Sequence, residues 1–427
     1  MPLSVAQSEN LFQRDRLNAR NSILVFLAFA AAYFCSALLR AITATLAPVL
    51  TQEFSLQAQG LGLLAGGYFL GFAAVQLPLG TWLDRYGPRR VILWFLSLAV
   101  LGCLAFSAAG SFAGLLAARV LLGMGVGACL MAALTGYRRW FDTATLLRAN
   151  SWMLMTGSLG MLASTLPVQW LMPLIGWRAL FWCLAALIVL SMAAIAWLVP
   201  RWRAAPEFAP AASLSRPALL HEAGYAPIWR SRYFRKMAPL AFFNYGGMVA
   251  MQTLWAGPWM VRVAGNTPLE SATGLFWINA SMLVTFWSWG MVNPYLARNG
   301  WPATRLIAWG VPLSLAVLAF NILAGTSTGW LGWALFCVTS SVLGLAQPAV
   351  GMSYQAALAG RALSAFNLVI FAGVFVAQWG IGLLVDAFSA LGLAQVASFQ
   401  AAMTVFLCCC IAAYGYFISV KADNSTQ

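Results

Sequence analysis

Charge is what this sequence lacks. Only 8% of its 427 residues are Asp, Glu, Lys or Arg, against roughly 25% in a soluble domain. There are 10 acids, and histidine occurs once, as His221. Lysine is confined to Lys236 and Lys421, so arginine supplies nearly all the positive charge. No Asp, Glu or His lies deep in an apolar run; Asp386 falls at the end of one and Glu270 between two. An enzyme working inside such runs needs a nucleophile with its base, or a metal cluster, and neither is present. The same shortage argues against a proton relay between buried carboxylates. The eight cysteines all fall in apolar runs without metal-ligand spacing, and Cys408 to Cys410 are consecutive. They read as small apolar filler, so neither a metal nor a cofactor is expected. A net charge of +14 invites a nucleic-acid reading. It is rejected, because the arginines are spread between apolar runs and form no groove-binding helix.

What the chain has in excess is apolar surface. It is 62% hydrophobic with 20 tryptophans, and its mean hydropathy is +0.81. No soluble core hides that much surface, so lipid is the solvent, with tryptophans at the membrane interface. A spanning helix needs about 20 apolar residues. On that measure spans 1 to 6 cover 22–50, 57–79, 91–109, 112–136, 149–173 and 178–199. Spans 7 to 12 cover 237–263, 272–296, 303–325, 330–357, 362–387 and 393–419. The expected fold is all-α, with twelve transmembrane helices in two six-helix bundles, 22–200 and 237–420. Residues 1–21 and 421–427 are expected as tails, and 201–236 as a basic loop. The first apolar run is too long for a signal-peptide core and reads as an uncleaved helix. With the amino terminus in the cytoplasm, 20 of the 24 basic residues fall inside and only Arg178 and Arg262 outside. Both termini are therefore expected in the cytoplasm of a bacterial inner-membrane protein. In the loop, Tyr225 to Lys236 mixes aromatics with arginines, as either a short interfacial helix or an irregular linker does.

The turn after span 2 reads Gly80-Thr-Trp-Leu-Asp-Arg-Tyr-Gly-Pro-Arg-Arg90. Its Gly80, Asp84, Arg85, Gly87, Arg89 and Arg90 resemble the signature of the major facilitator superfamily, although Pro88 stands where that family has a basic residue. Leu116 to Gly127, with Arg119 ahead of a glycine-rich face, is similar to the family's span-4 motif, and Gly176-Trp-Arg178 is also familiar. The resemblance implies a monomeric secondary transporter of a small-molecule substrate, not an enzyme, working by alternating access. A coupling proton or a counter-substrate goes with it. It also implies that Asp84 latches the two halves on the inner side by facing the amino terminus of span 11. The arginines of the turn can pair with Asp142. Ala297 replaces that aspartate in the second half, so such a latch is expected on one side only.

Arg40 and Arg119 lie inside spans 1 and 4, where a charge costs several kcal/mol unless it meets water or a partner. Both are expected in the outer half, about 16 Å and about 11 Å from the outer helix ends. One reading makes them the site of a small organic or inorganic anion, carried by symport or exchange. The other has Arg119 bonded to carbonyls or to Gln76, and Arg40 snorkelling outward. Drug or metabolite efflux by proton antiport is the alternative function. Polar residues at expected cavity positions are Asn244, Tyr245, Gln252, Gln347, Tyr354, Asn367 and Gln378, with Trp255 and Trp259 as walls. Each of them equally fits a helix–helix hydrogen bond or an interface anchor. His221, in the loop, reads as solvated. The glycine faces Gly62/Gly66, Gly67/Gly71 and Gly123/Gly127 allow close backbone approach, for sliding or for static packing.

Overall fold

The computed structural model describes residues 16–202 and 224–420. Arg14, Arg203, Arg216, His221 and Lys421 lie outside the described residues, as do most of both tails and the middle of the central loop. Among the described residues there is no strand. Nine helices there are long and apolar enough to cross a membrane. A tenth crossing is the pair Ala58–Ala74 and Gln76–Tyr86, bent by 45°. The other two crossings are broken. Span 5 starts at Thr143, is interrupted at Ser164 and Thr165, and resumes at Leu166. Gly176, at φ 72°, turns the chain into span 6. Span 7 is pieced together from Arg232–Leu240, a π turn Ala241–Tyr245, Gly246–Ala250, a second π turn Met251–Trp255 and Ala256–Arg262. The twelve expected crossings are therefore present. The arginine-rich face is called inner below.

The end of span 1 differs from expectation. Span 1 does not end near residue 50; with Pro48 inside it, the helix runs from Ala19 to Phe54 and stops where Ser55 turns left-handed, at φ 51°. A proline frees the carbonyl four residues earlier, here that of Ala44, and this carbonyl faces Gly257 of span 7. Pro258 likewise lies within a helix, Ala256–Arg262. The aromatic and basic stretch of the loop is helical, as Ala226–Arg230 followed by the start of span 7. The Tyr225 hydroxyl donates to the Leu77 carbonyl of span 2 at 3.1 Å, tying this stretch to the first half.

Glycine sets the packing. Spans 2 and 4 cross so closely that a Cβ on Gly71 would overlap the Val120 carbonyl, and one on Gly123 the Tyr68 carbonyl. Gly62 and Gly66 of span 2 serve a different neighbour. They abut the Gln378 carbonyl and the Phe375 ring of span 11, across the seam between the halves. Lipid gives no hydrophobic force between helices, so such close contact is what holds them. At the outer end, Arg178 and Trp177 of span 6 donate to Glu53 of span 1 at 2.6 and 2.7 Å. Arg178 also reaches the Ala109 carbonyl after span 3 at 3.2 Å. One carboxylate thus gathers three helix ends.

Gly123→Val forces a branched side chain into a backbone crossing, and overpacking of this kind costs about 1–3 kcal/mol or more. The variant should show a lower melting temperature in detergent and a lower folded yield. Gly110→Ala, where a Cβ would meet nothing within 4 Å, should match the parent.

Candidate functional site

Span 1 extends past Pro48, so Arg40 lies 14 residues before Phe54. That is about 21 Å from the outer end, deeper than expected and near the middle of the helix. Its guanidinium lies 5.7 Å from the Phe72 ring of span 2 and 5.8 Å from the Phe371 ring of span 11. The Tyr68 side chain hydrogen-bonds to it, and Tyr33 and Tyr245 are near enough to act on its charge. Arg40 therefore does not snorkel outward. It is held where the two halves meet, because Phe72 and Phe371 touch there with centroids 4.4 Å apart.

Arg119 is wholly buried, at 0% exposure. Its Nη1 donates to the Leu39 carbonyl at 3.0 Å, and its guanidinium lies 5.2 Å from the Tyr68 ring. Gln76 is not its partner; that side chain donates to the Phe72 carbonyl of its own helix at 3.2 Å. The Tyr68 hydroxyl donates to the Ser36 carbonyl at 3.0 Å, so this ring is fixed between the two arginines. Three buried donor nitrogens of these two arginines have no hydrogen-bond partner: Nε of Arg40, and Nε and Nη2 of Arg119.

No carboxylate of the described residues answers them. Glu53 is held by Arg178 and Trp177. Asp142 caps span 5, accepting from the Thr145 amide at 2.9 Å. Glu270 accepts from the Thr267 amide at 2.8 Å in the first turn of span 8. Asp84 lies in the last turn of the helix Gln76–Tyr86, at the inner end of span 2. Asp386 sits near the outer end of span 11 and accepts from the amides of Ala58 and Gln59, at 3.1 and 2.7 Å. All five stand at helix ends, so the centre carries positive charge alone.

The polar residues of the second half mostly bind one another. Gln252 donates to Asn279 of span 8 at 3.0 Å, and Gln378 to Thr253 at 3.0 Å. Asn367 accepts from Gln347 at 2.7 Å. The Oδ1 of Asn244 and the Oε1 of Gln378 are buried without a partner. Trp255 donates to the Gln378 carbonyl at 3.1 Å, and Trp259 stacks edge-on with Trp333. Tyr354 does not lie at the cavity position expected for it. It lies beyond the inner end of span 10 and donates to the Ile228 carbonyl at 3.3 Å, so it braces the loop helix and lines no central site. In the inner turn, Arg89 donates to the Ala196 carbonyl and Arg85 lies over Tyr86. Gly87 stands at φ 77° with Trp202 against it, where no side chain fits. Gly80 comes within reach of Ser364 on span 11.

The chain matches the model of the Major Facilitator Superfamily over residues 29–378. It belongs to that family. Among relatives, it is 25% identical over 266 residues to a probable sulfoacetate transporter, SauU, of Cupriavidus necator. That alignment covers 59% of this chain and 60% of the relative, under two thirds of its length. It is 25% identical over 284 residues to a gallate transporter of Pseudomonas putida, covering 60% of this chain and 62% of the relative. It is 27% identical over 355 residues to the multidrug resistance protein MdtL of Escherichia coli, covering 76% and 85%. In fold it resembles a bacterial homolog of the human lysosomal transporter Spinster, in an inward-facing and unoccupied conformation. The TM-score is 0.74 at 18% identity, covering 96% of this chain and 100% of that one. A D-xylose-proton symporter gives 0.75 at 13% identity, covering 95% and 99%.

The chain is thus a multi-pass membrane transporter of the superfamily. Its sequence had not pointed to Tyr33, Tyr68, Phe72 or Phe371 around the central cation, nor to Asp386 as a contact between the halves. The one local signal was Tyr68 and Phe72 at i and i+4, which share a helix face.

A buried donor without a partner costs about 1–3 kcal/mol, and more when charged. Arg40→Gln removes the charge and keeps much of the length. The unliganded transporter carrying it should melt in detergent no lower than the parent; a loss of several degrees would mean the guanidinium holds the fold together.

Proposed function

We propose that this transporter carries a small organic or inorganic anion across the bacterial inner membrane by alternating access, as symport or exchange. One observation carries the reading. Arg40 and Arg119 stand in the interior with three unpartnered donor nitrogens, and no carboxylate of the described residues reaches them. A guanidinium fork in low dielectric attracts a carboxylate, sulfonate or phosphate strongly. Arg40 is the substrate contact. Arg119, fully occluded and bonded to the Leu39 carbonyl, fixes Tyr68 beside it. The sulfoacetate and gallate transporters among the relatives carry anions by name, which supports this reading. A proton can travel with a protonatable anion, so the lack of an interior carboxylate among the described residues does not exclude proton symport.

The likeness to MdtL, over 85% of that protein's length, favours a second reading, efflux of drugs or metabolites by proton antiport. A cationic drug, however, would face two arginines with no acid among the described residues to pair with. Deletion of the gene followed by measurement of lipophilic cation dyes separates the two: accumulation of dye supports efflux.

Two carboxylates serve as latches in this mechanism. Asp84 secures the inner side when the carrier opens outward, since Gly80 of its turn lies beside Ser364 of span 11. Asp386 secures the outer side by capping the amino terminus of span 2, where the dipole and free N–H groups favour an anion. Arg262 of span 7 is close enough to act on Asp386, at the edge of an outer cavity of about 180 Å³ that Thr51 also lines.

Uptake of a panel of anions into proteoliposomes tests the site. Arg40→Ala should lower transport of every accepted anion by at least about 30-fold, the loss of a charge-assisted fork worth roughly 2 kcal/mol or more. The accepted anion should also raise the melting temperature of the parent but not of the variant. For the outer latch, Asp386→Ala should increase labelling of a Thr51→Cys reporter by an impermeant maleimide several-fold in intact cells. Unchanged labelling would remove Asp386 from the gate.

A further inference from the structure

We infer that the cargo bound at Arg40 is a monovalent organic anion with a planar aromatic body, such as a ring monocarboxylate. The inference rests on the anion reading of Arg40 and narrows it. Charge is the first ground. Of the two central guanidinium groups, Arg119 is at 0% exposure, with one donor given to the Leu39 carbonyl and one face against Tyr68. Arg40 alone retains partial exposure. One fork matches one carboxylate; a second negative charge would stand in the interior without a cation, at high cost.

The surface beside that fork is the second ground. Phe72 and Phe371 lie 5.7 and 5.8 Å from the guanidinium. Phe69 stacks on Phe371 at 6.1 Å with an interplanar angle of 17°, and Tyr68 meets Phe69 at 5.2 Å. Phe371, partly exposed, and the nearly buried Phe72 thus form an aromatic wall at the cation, one ring from each half, backed by the fully buried Phe69 and Tyr68. An aromatic body gains offset-stacked or edge-to-face contact on such a wall. A small hydrated oxyanion gains nothing there, because sulfate or phosphate needs donors on several sides to replace its water. The donor group that the site offers is the Arg40 fork, since the Tyr68 hydroxyl is bonded to Ser36. That fork suits one carboxylate end and an apolar remainder. The rings also stabilise the guanidinium between cargoes without neutralising it, which a carboxylate partner would do.

The test is binding to the purified full-length transporter by calorimetry, with benzoate, acetate, terephthalate and sulfate as probes. Benzoate should bind at least about tenfold more tightly than acetate, terephthalate and sulfate more weakly than benzoate, and Arg40→Ala should abolish all of it. Phe371→Ala should bring the benzoate-to-acetate ratio close to one, and Phe371→Tyr should restore it. Phe72→Leu gives the same comparison if Phe371→Ala does not fold. Acetate, terephthalate or sulfate binding as tightly as benzoate through Arg40 would overturn the aromatic inference and leave the anion site standing. Binding of no probe, or binding indifferent to Arg40, would overturn both.

Discussion

Two guanidinium groups held in an apolar interior without a carboxylate set the terms for this molecule. A charge at the centre of a span costs about 2.5–3.5 kcal/mol on insertion scales, and more in other treatments. Arg119 recovers part through the Leu39 carbonyl, as a charged donor worth about 1.5–3 kcal/mol, and part through Tyr68. Arg40 has two rings and neighbouring tyrosines. Each ring contributes roughly 0.5–2 kcal/mol and leaves the charge intact. The site is therefore tolerated and still charged. A paired carboxylate would be more stable and would also extinguish the field at the site.

The remaining architecture follows from where the acids are placed instead. All five described carboxylates serve helix ends, and two of them tie distant elements together. Glu53 gathers the outer ends of spans 1, 3 and 6. Asp386 joins span 11 to span 2 through backbone amides. Between these end contacts, the halves meet through glycine against carbonyl and ring against ring. Such a seam has few directional bonds to break. The second half adds irregular helix, with two π turns in span 7 and a 3₁₀ stretch, Ser341–Leu345, in span 10. Turns of these kinds often mark hinges or functional sites.

The crossings were legible in the sequence because the bilayer imposes them: length and hydropathy are local properties, and lipid forbids unpaired backbone. The arginine clusters and glycine spacings were legible for the same reason. The end of span 1 was misplaced, since a proline such as Pro48 is tolerated in a membrane helix when a neighbouring helix packs on the freed carbonyl, and Gly257 lets span 7 approach that of Ala44. Tyr354 misled because hydropathy placed it inside span 10, whose last helix ends at Met352. The partners of Arg40 were not legible at all. Phe371 is one of 27 phenylalanines, and only the packing of span 11 on span 2 brings it to the cation. The pairing of Asp386 with Ala58 spans 328 positions and uses backbone donors, which no residue type announces.

This placement has a consequence for coupling under the anion reading. Arg40 belongs to the first half and Phe371 to the second, so any separation of the halves at the seam strips one ring from the guanidinium. An empty carrier then carries an uncompensated charge through the transition. A loaded carrier does not, because the bound anion replaces the lost contact. A ligand drives a conformational change only by its differential affinity for the two states, and here that difference arises at a charged side chain held between rings of both halves. With roughly 0.5–2 kcal/mol per ring at stake, the empty return is slowed by about two- to thirtyfold relative to the loaded one. That bias favours exchange of one anion for another over net movement, unless a second charge carrier accompanies the cargo.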